Sequence, residues 1–240
     1  MLGFYAVRIT IVYDNYVFDR TFRPGCGFAC VIETEAGKLL LDAGAHVSTL
    51  SFNLQKAGIP PDTIDAVAIS HLDSDHYGGL LGFLEEANRP TVYVPSVFPL
   101  RYKRRITSCG ARVEEVTAPR EIFPHVFSTG QIGDGIKEQS LVLETPMGAV
   151  VVAGCGHPSI SRIAEVAREV VGSPLRMMVG GFHLSDMDEE EVARVLAHLK
   201  QTGVTVVAPS HCTTDAGVAY LRREFGDGFV ESGVGKVFEL

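Results

Sequence analysis

The stretch Ile69-Ser70-His71-Leu72-Asp73-Ser74-Asp75-His76-Tyr77-Gly78-Gly79-Leu80 places four side chains able to ligate a metal, His71, Asp73, Asp75 and His76, within six residues. Directly before it, Ala66-Val67-Ala68-Ile69 follows the polar Asp62, Thr63 and Asp65. A short apolar run of that kind reads as a buried strand. The four side chains therefore sit at the carboxyl end of a strand, in a turn. Gly78-Gly79 is expected to let the backbone pass close to whatever they hold. A solvated acidic turn would account for Asp73 and Asp75. It does not account for two histidines flanking them behind a buried strand, where crowded imidazoles and carboxylates repel one another unless a cation lies among them. The stretch is read as a metal-binding turn.

Upstream, residues 6–13 alternate and are rich in β-branched side chains, the mark of a strand. Residues 22–27, with Pro24, Gly25 and Gly27, read as a loop. Residues 28–33 and 38–41 are predicted to pair as a hairpin around Glu35-Ala36-Gly37 and to end at Asp42-Ala43-Gly44. A helix over 48–57 is stopped by Gly58, and Pro60-Pro61 leads into the strand before the metal turn. Downstream come a helix over 80–87, a strand over 91–94 and a helix over 96–109 interrupted near Pro99. Strands over 111–116 and 126–129 precede a second hairpin, 140–145 with 149–153, turning at Pro146-Met147-Gly148. After Gly154-Cys155-Gly156-His157-Pro158, a helix over 159–171 leads to a strand over 175–179 that runs into Gly180-Gly181-Phe182-His183. A charged helix over 188–201 precedes a strand over 204–208, beyond which stand Pro209-Ser210-His211-Cys212. A helix near 216–225 and a strand near 234–238 complete the order.

No linker, low-complexity tract or repeat of fixed period divides the 240 residues, which read as one domain, 1–240. Two halves are still visible, each opening on hairpins and then alternating strands with helices. That pattern predicts two sheets packed face to face with helices outside.

A hydrophobic content of 46% with 21% charged residues suits a packed globular protein. The net charge of −8 argues against a nucleic-acid surface, which needs clustered Lys and Arg. No apolar run approaches the roughly 20 residues of a spanning helix. The opening MLGFYAVRITIVYDN has neither a basic leader region nor a small-residue cleavage site, so no membrane attachment is expected. Five cysteines, Cys26, Cys30, Cys109, Cys155 and Cys212, are an odd number without a CxxC pair. That is poor disulfide arithmetic for a secreted protein, and a cytoplasmic location is the default. The expected partner is a small-molecule substrate, with a homodimer left open.

Four times a strand ends in a ligand candidate: His71, Cys155 with His157, His183, and His211. Loops beyond the carboxyl ends of strands converge at one edge of an α/β structure, where sites usually form. A single histidine after a strand is more often structural. Four such places together with the HxDxDH turn make a constellation stronger than any one member.

The segments VRITIVYDN, GFACVIETEAGKLLLDAG, NLQKAGIPPDTIDAVAISHLDSDHYGGL, GCGHPSI, GGFHL and PSHCT occur in this order over most of the chain. Together they resemble the metallo-β-lactamase-fold hydrolases, and within these the dihydropterin–ribofuranosylaminobenzene phosphate synthase-like subgroup. The metal turn resembles the HxHxDH signature, with Asp73 where the second histidine usually stands. The resemblance implies a four-layer αββα sandwich, an α/β (α+β) fold, around two divalent ions, zinc first, with manganese or iron as alternatives. It implies that His71 and Asp73 serve metal one, with His157 as a further ligand, and that Asp75, His76 and His211 serve metal two. Cys155 stands where many relatives carry a bridging aspartate. It could bridge as a thiolate, and a small buried cysteine is the rival reading. His183 could be a ligand, a substrate contact or a proton donor, with substrate contact ranked first. Asp42 is expected to hydrogen-bond a ligand histidine.

Other polar residues read as less informative. His198 falls on the polar side of a helix whose apolar face is Val192, Val195, Leu196 and Leu199. His125 lies in a loop with no partner suggested, and His46 reads as a surface-loop residue. Arg101, Lys103, Arg104 and Arg105 form one basic cluster, read as a solvated helix face, with an anion clamp as the sharper alternative.

Two metals can lower the pKa of a shared water and polarise the bond under attack. The sequence has neither a Gly-x-Ser-x-Gly elbow nor a Walker loop. The expected activity is therefore metal-dependent hydrolysis by a metal-bound hydroxide, which Asp75 would help to orient. The resemblance points to a small anionic or phosphorylated substrate. Rival readings are the synthase reaction of the subgroup, a transfer joining a pterin precursor to an aminobenzene ribosyl phosphate, di-iron redox chemistry, and a non-catalytic metal-binding relative.

Overall fold

The computed structural model of the chain describes residues 6–185 and 187–240. Residues 1–5, part of the opening read for a targeting signal, lie outside the described residues. In chain order the first half holds β1 (Arg8–Tyr13), β2 (Ala29–Thr34), β3 (Gly37–Leu41), α1 (Val47–Ala57), β4 (Ala66–Ala68), α2 (Ser74–Tyr77), α3 (Leu80–Glu86), β5 (Thr91–Pro95), α4 (Leu100–Ser108) and β6 (Arg112–Val116). The second half holds β7 (Arg120–Phe123), β8 (Val126–Ser128), β9 (Leu141–Leu143), β10 (Ala149–Ala153), α5 (Ile160–Val171), β11 (Leu175–Gly181), α6 (Glu189–Gln201), β12 (Val206–Ser210), α7 (Asp215–Phe225) and β13 (Val237–Glu239).

The strands form two sheets, ordered β13-β1-β2-β3-β4-β5-β6 and β12-β11-β10-β9-β8-β7. Strand alternation sorts the apolar side chains into three layers of core. Ile32, Leu39, Leu41 and Ala66 point from the first sheet toward Leu141, Leu143, Val150, Val152 and Val179 of the second. The intervening Val31, Leu40 and Val67 point the other way, onto Leu50 and Leu54 of α1 and Phe83 of α3. In the second sheet Val142, Val151 and Met178 back onto Ile163 and Ala167 of α5 and Leu196 of α6. Helix, sheet, sheet, helix: this is the expected αββα sandwich. Among the described residues, no helix is long and apolar enough to cross a membrane.

The strand directions decide where the polar loops meet. β1 and β3 both run antiparallel to β2, and β3 runs parallel to β4, so the segments after all three leave the same edge. β10, β11 and β12 are mutually parallel and deliver residues 154–157, 182–183 and 211–212 to one edge of the second sheet.

Several local expectations are revised. The metal turn contains a helical turn, α2. Gly78 and Gly79 pass close to protein, not to the ligand side chains: a Cβ at either would collide with the backbone carbonyl of Ala45 or Ala43. The helix near Pro99 is uninterrupted, because Pro99 is its N-cap and α4 begins at Leu100. The strand expected over 204–208 lies two residues later, at Val206–Ser210. β7 is an extra edge strand whose Arg120-Glu121 start carries no apolar alternation to announce it. His125 does have a partner, since its Nδ1 lies 2.9 Å from Glu144 Oε2.

Candidate metal centre

Asp42 follows β3, is fully buried, and sits in the left-handed region at φ 59°. His183 and His211 share that uncommon backbone state, at φ 42° and 53°. Each such residue costs on the order of 1–3 kcal/mol and persists where surrounding structure enforces it. These three cluster around one centre.

Ser70 donates to Asp42 twice, from its N–H to Oδ1 and from its hydroxyl to Oδ2, each at 2.7 Å. The Ser70 hydroxyl proton is thereby committed. Its oxygen lies 2.8 Å from His71 Nδ1, so His71 donates from Nδ1. His76 Nδ1 lies 2.7 Å from Asp42 Oδ2, a carboxylate, and donates as well. His211 Nδ1 lies 2.9 Å from Asn15 Oδ1, an oxygen that also accepts the Gly27 N–H at 3.0 Å. That second bond identifies the atom as the acceptor, so His211 donates from Nδ1 too. With each Nδ1 proton placed, each neutral ring turns an Nε2 lone pair inward.

The inward atoms face one another. His76 Nε2 and His211 Nε2 are 3.1 Å apart, and Asp75 Oδ2 lies 3.7 Å and 3.5 Å from them. Asp73 Oδ2 lies 3.3 Å from His71 Nε2 and 3.4 Å from His157 Nε2. The Nε2 atoms of His71 and His157 are buried and make no hydrogen bond. Two sets of two imidazoles and one carboxylate thus stand side by side: His71, Asp73 and His157, and Asp75, His76 and His211. Opposed lone pairs and acceptor-only carboxylates are repulsive without a cation, and a divalent ion fits this donor set.

Electrostatics agree. Burial pushes His76 down to about 3 and His211 down to about 2, which keeps both rings in the neutral form that ligates metals. Burial lowers His157 as well. Burial acts in the same sense on His71, but Asp73, Glu138 and Asp42 outweigh it and raise that ring. The adjoining His71 ring holds Asp73 down to about 2, so Asp73 is ionised at any ordinary pH. Burial lifts Asp42 to about 7. It also lifts Asp14, whose Oδ1 accepts the His211 N–H at 3.1 Å, to about 7.

Cys155 also reaches the centre. Its Sγ groups with His71 and His76, with His211 and Cys212, and with His157 and His183. The Cys155 thiol donates to Cys212 Sγ at 3.0 Å and lies 3.4 Å from His183 Nδ1. The Cys155 hydrogen bond, helped by His183, lowers Cys212 to about 6, while Cys155 itself is raised.

All seven candidate ligands, with His183 beside Cys155, therefore converge at one edge of the two sheets. His46 is exposed, and His198 pairs with Glu165 at 2.6 Å. Of the basic cluster, Lys103 is tied to Glu115 at 2.7 Å and to the Ser96 carbonyl at 2.9 Å, and the three arginines are exposed. A cleft of about 990 Å³ opens beside His157, lined in part by Ile132, Ile136, Lys137, Arg162 and Met187. Sequence reading missed Asp14, Asn15, Ser70, Cys212, Glu138 and Gln139. For Ser70, its place between a buried strand and His71 was the available signal.

Asp42 fixes His76 from behind, so Asp42→Asn should weaken binding of one metal equivalent by roughly 10–100-fold, the usual effect of changing an outer partner of a ligand histidine. A metal titration of the variant against a competing chelator measures it.

The profile of the metallo-beta-lactamase superfamily matches residues 23–162. The 7,8-dihydropterin-6-methyl-4-(beta-D-ribofuranosyl)-aminobenzene-5'-phosphate synthase of Methanocaldococcus jannaschii is 25% identical, with 98% of this chain and 97% of that protein aligned. Among solved structures, Tm1679, described as a metal-dependent hydrolase of the beta-lactamase superfamily, superimposes with a TM-score of 0.81 at 24% identity, covering 98% of this chain and 99% of its own. Zn(2+)-bound PqqB from Methylobacterium extorquens superimposes with a TM-score of 0.65 at 13% identity, covering 97% of this chain and 100% of its own.

Proposed function

Because the chain belongs to the metallo-beta-lactamase superfamily, we propose that it is a metal-dependent hydrolase with two divalent ions, acting on a small anionic or phosphorylated substrate. The observation that carries this reading is the set of histidines whose Nδ1 protons are committed outward and whose Nε2 atoms meet across two carboxylates. Two ions held there would acidify water at neutral pH and polarise the bond under attack.

The protein's own groups supply the rest. Asp75 Oδ2, near both His76 and His211, would accept a proton from attacking water and orient it. His183, in the loop after β11 and beside Cys155, would contact the substrate. The cleft supports an amphipathic anion: Ile132, Ile136 and Met187 offer apolar contact, while Lys137 and Arg162 offer positive charge. Arg162 is shared with Glu165 at 3.0 Å and Lys137 Nζ donates to the Gly133 carbonyl, so each would have to be recruited from its present partner.

Metal uptake is the first test. Purified protein loaded with zinc, manganese or iron should hold close to two equivalents. At a free metal concentration about 100-fold above Kd, the linkage is worth about 2.7 kcal/mol per site, which for a chain of this size raises Tm by roughly 5–11 °C. Chelation should reverse the shift, and an unchanged Tm with no metal bound would defeat the proposal. The loaded protein is then assayed on phosphodiesters, lactones and thioesters, where turnover that disappears with Asp75→Ala is expected.

The full-length similarity to a synthase favours one other reading, a transfer reaction related to the one that relative's name describes. Condensation of a pterin precursor with an aminobenzene ribosyl phosphate, without hydrolysis of any ester in the screen, would select it.

A further inference from the structure

Glu138 and Gln139 are both buried, and neither is a ligand candidate. The Glu138 carboxylate accepts three consecutive backbone N–H groups, from Cys155 at 3.0 Å, Gly156 at 2.9 Å and His157 at 2.9 Å. Both carboxylate oxygens are engaged by this run of N–H groups, Oε1 by Cys155 and Gly156 and Oε2 by Gly156 and His157. The next residue grips the other half of the molecule. Gln139 donates its backbone N–H to the Ser70 carbonyl at 2.9 Å, and its side-chain amide to the carbonyls of Ile69 at 2.9 Å and Tyr93 at 3.2 Å. Its side-chain oxygen accepts from the Ser128 hydroxyl at 2.6 Å.

We infer that Glu138 and Gln139 are positioning residues that assemble the first set of ligands across the two halves of the fold. Glu138 fixes the loop carrying His157, and Gln139 fixes the strand end leading to His71 and Asp73. No hydrogen bond joins Glu138 to the second set, whose His76 is held by Asp42 and His211 by Asn15 and Asp14; Gln139 reaches Asp42 only through Ser70. The inference rests on the metal-centre reading above and makes the two sites separable.

Glu138→Gln keeps the size of the side chain, removes its charge and replaces one accepting oxygen with an NH2 group that faces an N–H donor. It is introduced into Asp75→Ala, which retains the first ligand set, and into Asp73→Ala, which retains the second. Cobalt(II) is the probe, followed by its visible absorption and by competition with a chelator. In the Asp75→Ala background, Glu138→Gln should weaken cobalt binding by roughly 10–100-fold and alter the absorption band. In the Asp73→Ala background both should be unchanged. Glu138→Asp keeps the charge but shortens the reach, and should fall between the two. It also carries the test if Glu138→Gln does not fold. Equal affinity in both backgrounds, or equal loss in both, overturns the inference. Failure of the unaltered protein to bind cobalt would instead overturn the metal-centre reading.

Discussion

His76→Ala is expected to remove one of two metal equivalents and to lower turnover by more than the roughly 10–100-fold that outer-partner changes produce. Two separate losses meet at this residue. The Nε2 lone pair that faces His211 at 3.1 Å disappears, leaving Asp75 and His211 as an incomplete set. The Nδ1 donor to Asp42 disappears as well, leaving a fully buried carboxylate with only the two Ser70 bonds. An unsatisfied buried polar group costs about 1–3 kcal/mol, so metal-free His76→Ala should also unfold at a lower temperature than metal-free wild type. Asp75→Ala supplies the contrast. Its side chain is partly exposed and anchors no buried donor, so it should lose the same metal equivalent without that loss of stability. Elemental analysis with thermal unfolding of both metal-free variants separates ligand loss from fold damage. Two equivalents retained in His76→Ala would remove His76 from the ligand set.

Asp73 is where the chain departs from the pattern it otherwise follows, and its variants should change which metal is preferred. Its Oδ2 stands between two buried Nε2 atoms that have no other partner, and its carboxyl is ionised at any ordinary pH. The carboxylate gives the first site two nitrogens and one oxygen, matching the second. Two histidines and one carboxylate with open positions suit iron(II) or manganese, whereas a third imidazole in place of the carboxylate would be softer and suit zinc. Asp73→His is therefore expected to move the preference for zinc over manganese by tenfold or more, equivalent to about 1.4 kcal/mol. Asp73→Ala should empty the first site and leave the second partly filled. Neither change should unfold the protein, since the side chain is 42% exposed and such substitutions usually stay within about 0.5 kcal/mol. Occupancy measured across zinc, manganese and iron decides it. Full occupancy with full turnover in Asp73→Ala would show that Asp73 is no ligand.

The fold was legible because its signals are local. Alternation in Arg8–Tyr13, the hairpins and the strand-then-histidine device are each contained within about ten residues, and each predicts where the chain turns. The ligand candidates were legible for the same reason, as polar residues placed immediately after apolar strands. Their supports were not. Asp14 and Asn15 look like ordinary strand-ending residues, and their partner His211 lies nearly 200 positions away. Glu138 sits in a glycine-rich polar loop, where a carboxylate is expected to be solvated, and only the antiparallel pairing of β9 with β10 brings residues 155–157 beside it. Gly78 and Gly79 show the converse error. The need for glycine was apparent, but its cause is the neighbouring backbone at Ala43 and Ala45.

The composite origin of the centre has a consequence for biosynthesis. His76 and His211 are 135 residues apart, which at ribosomal speeds of about 5–20 residues per second separates their emergence by roughly 7–27 s. During that interval the turn from His71 to His76 already exposes four donors, while the rings that complete both sets are still untranslated. β1 waits longer still for β13, its neighbour in the finished sheet. A nascent chain would therefore offer a metal only part of the proposed donor set. The full set forms only after the second half has closed over the first.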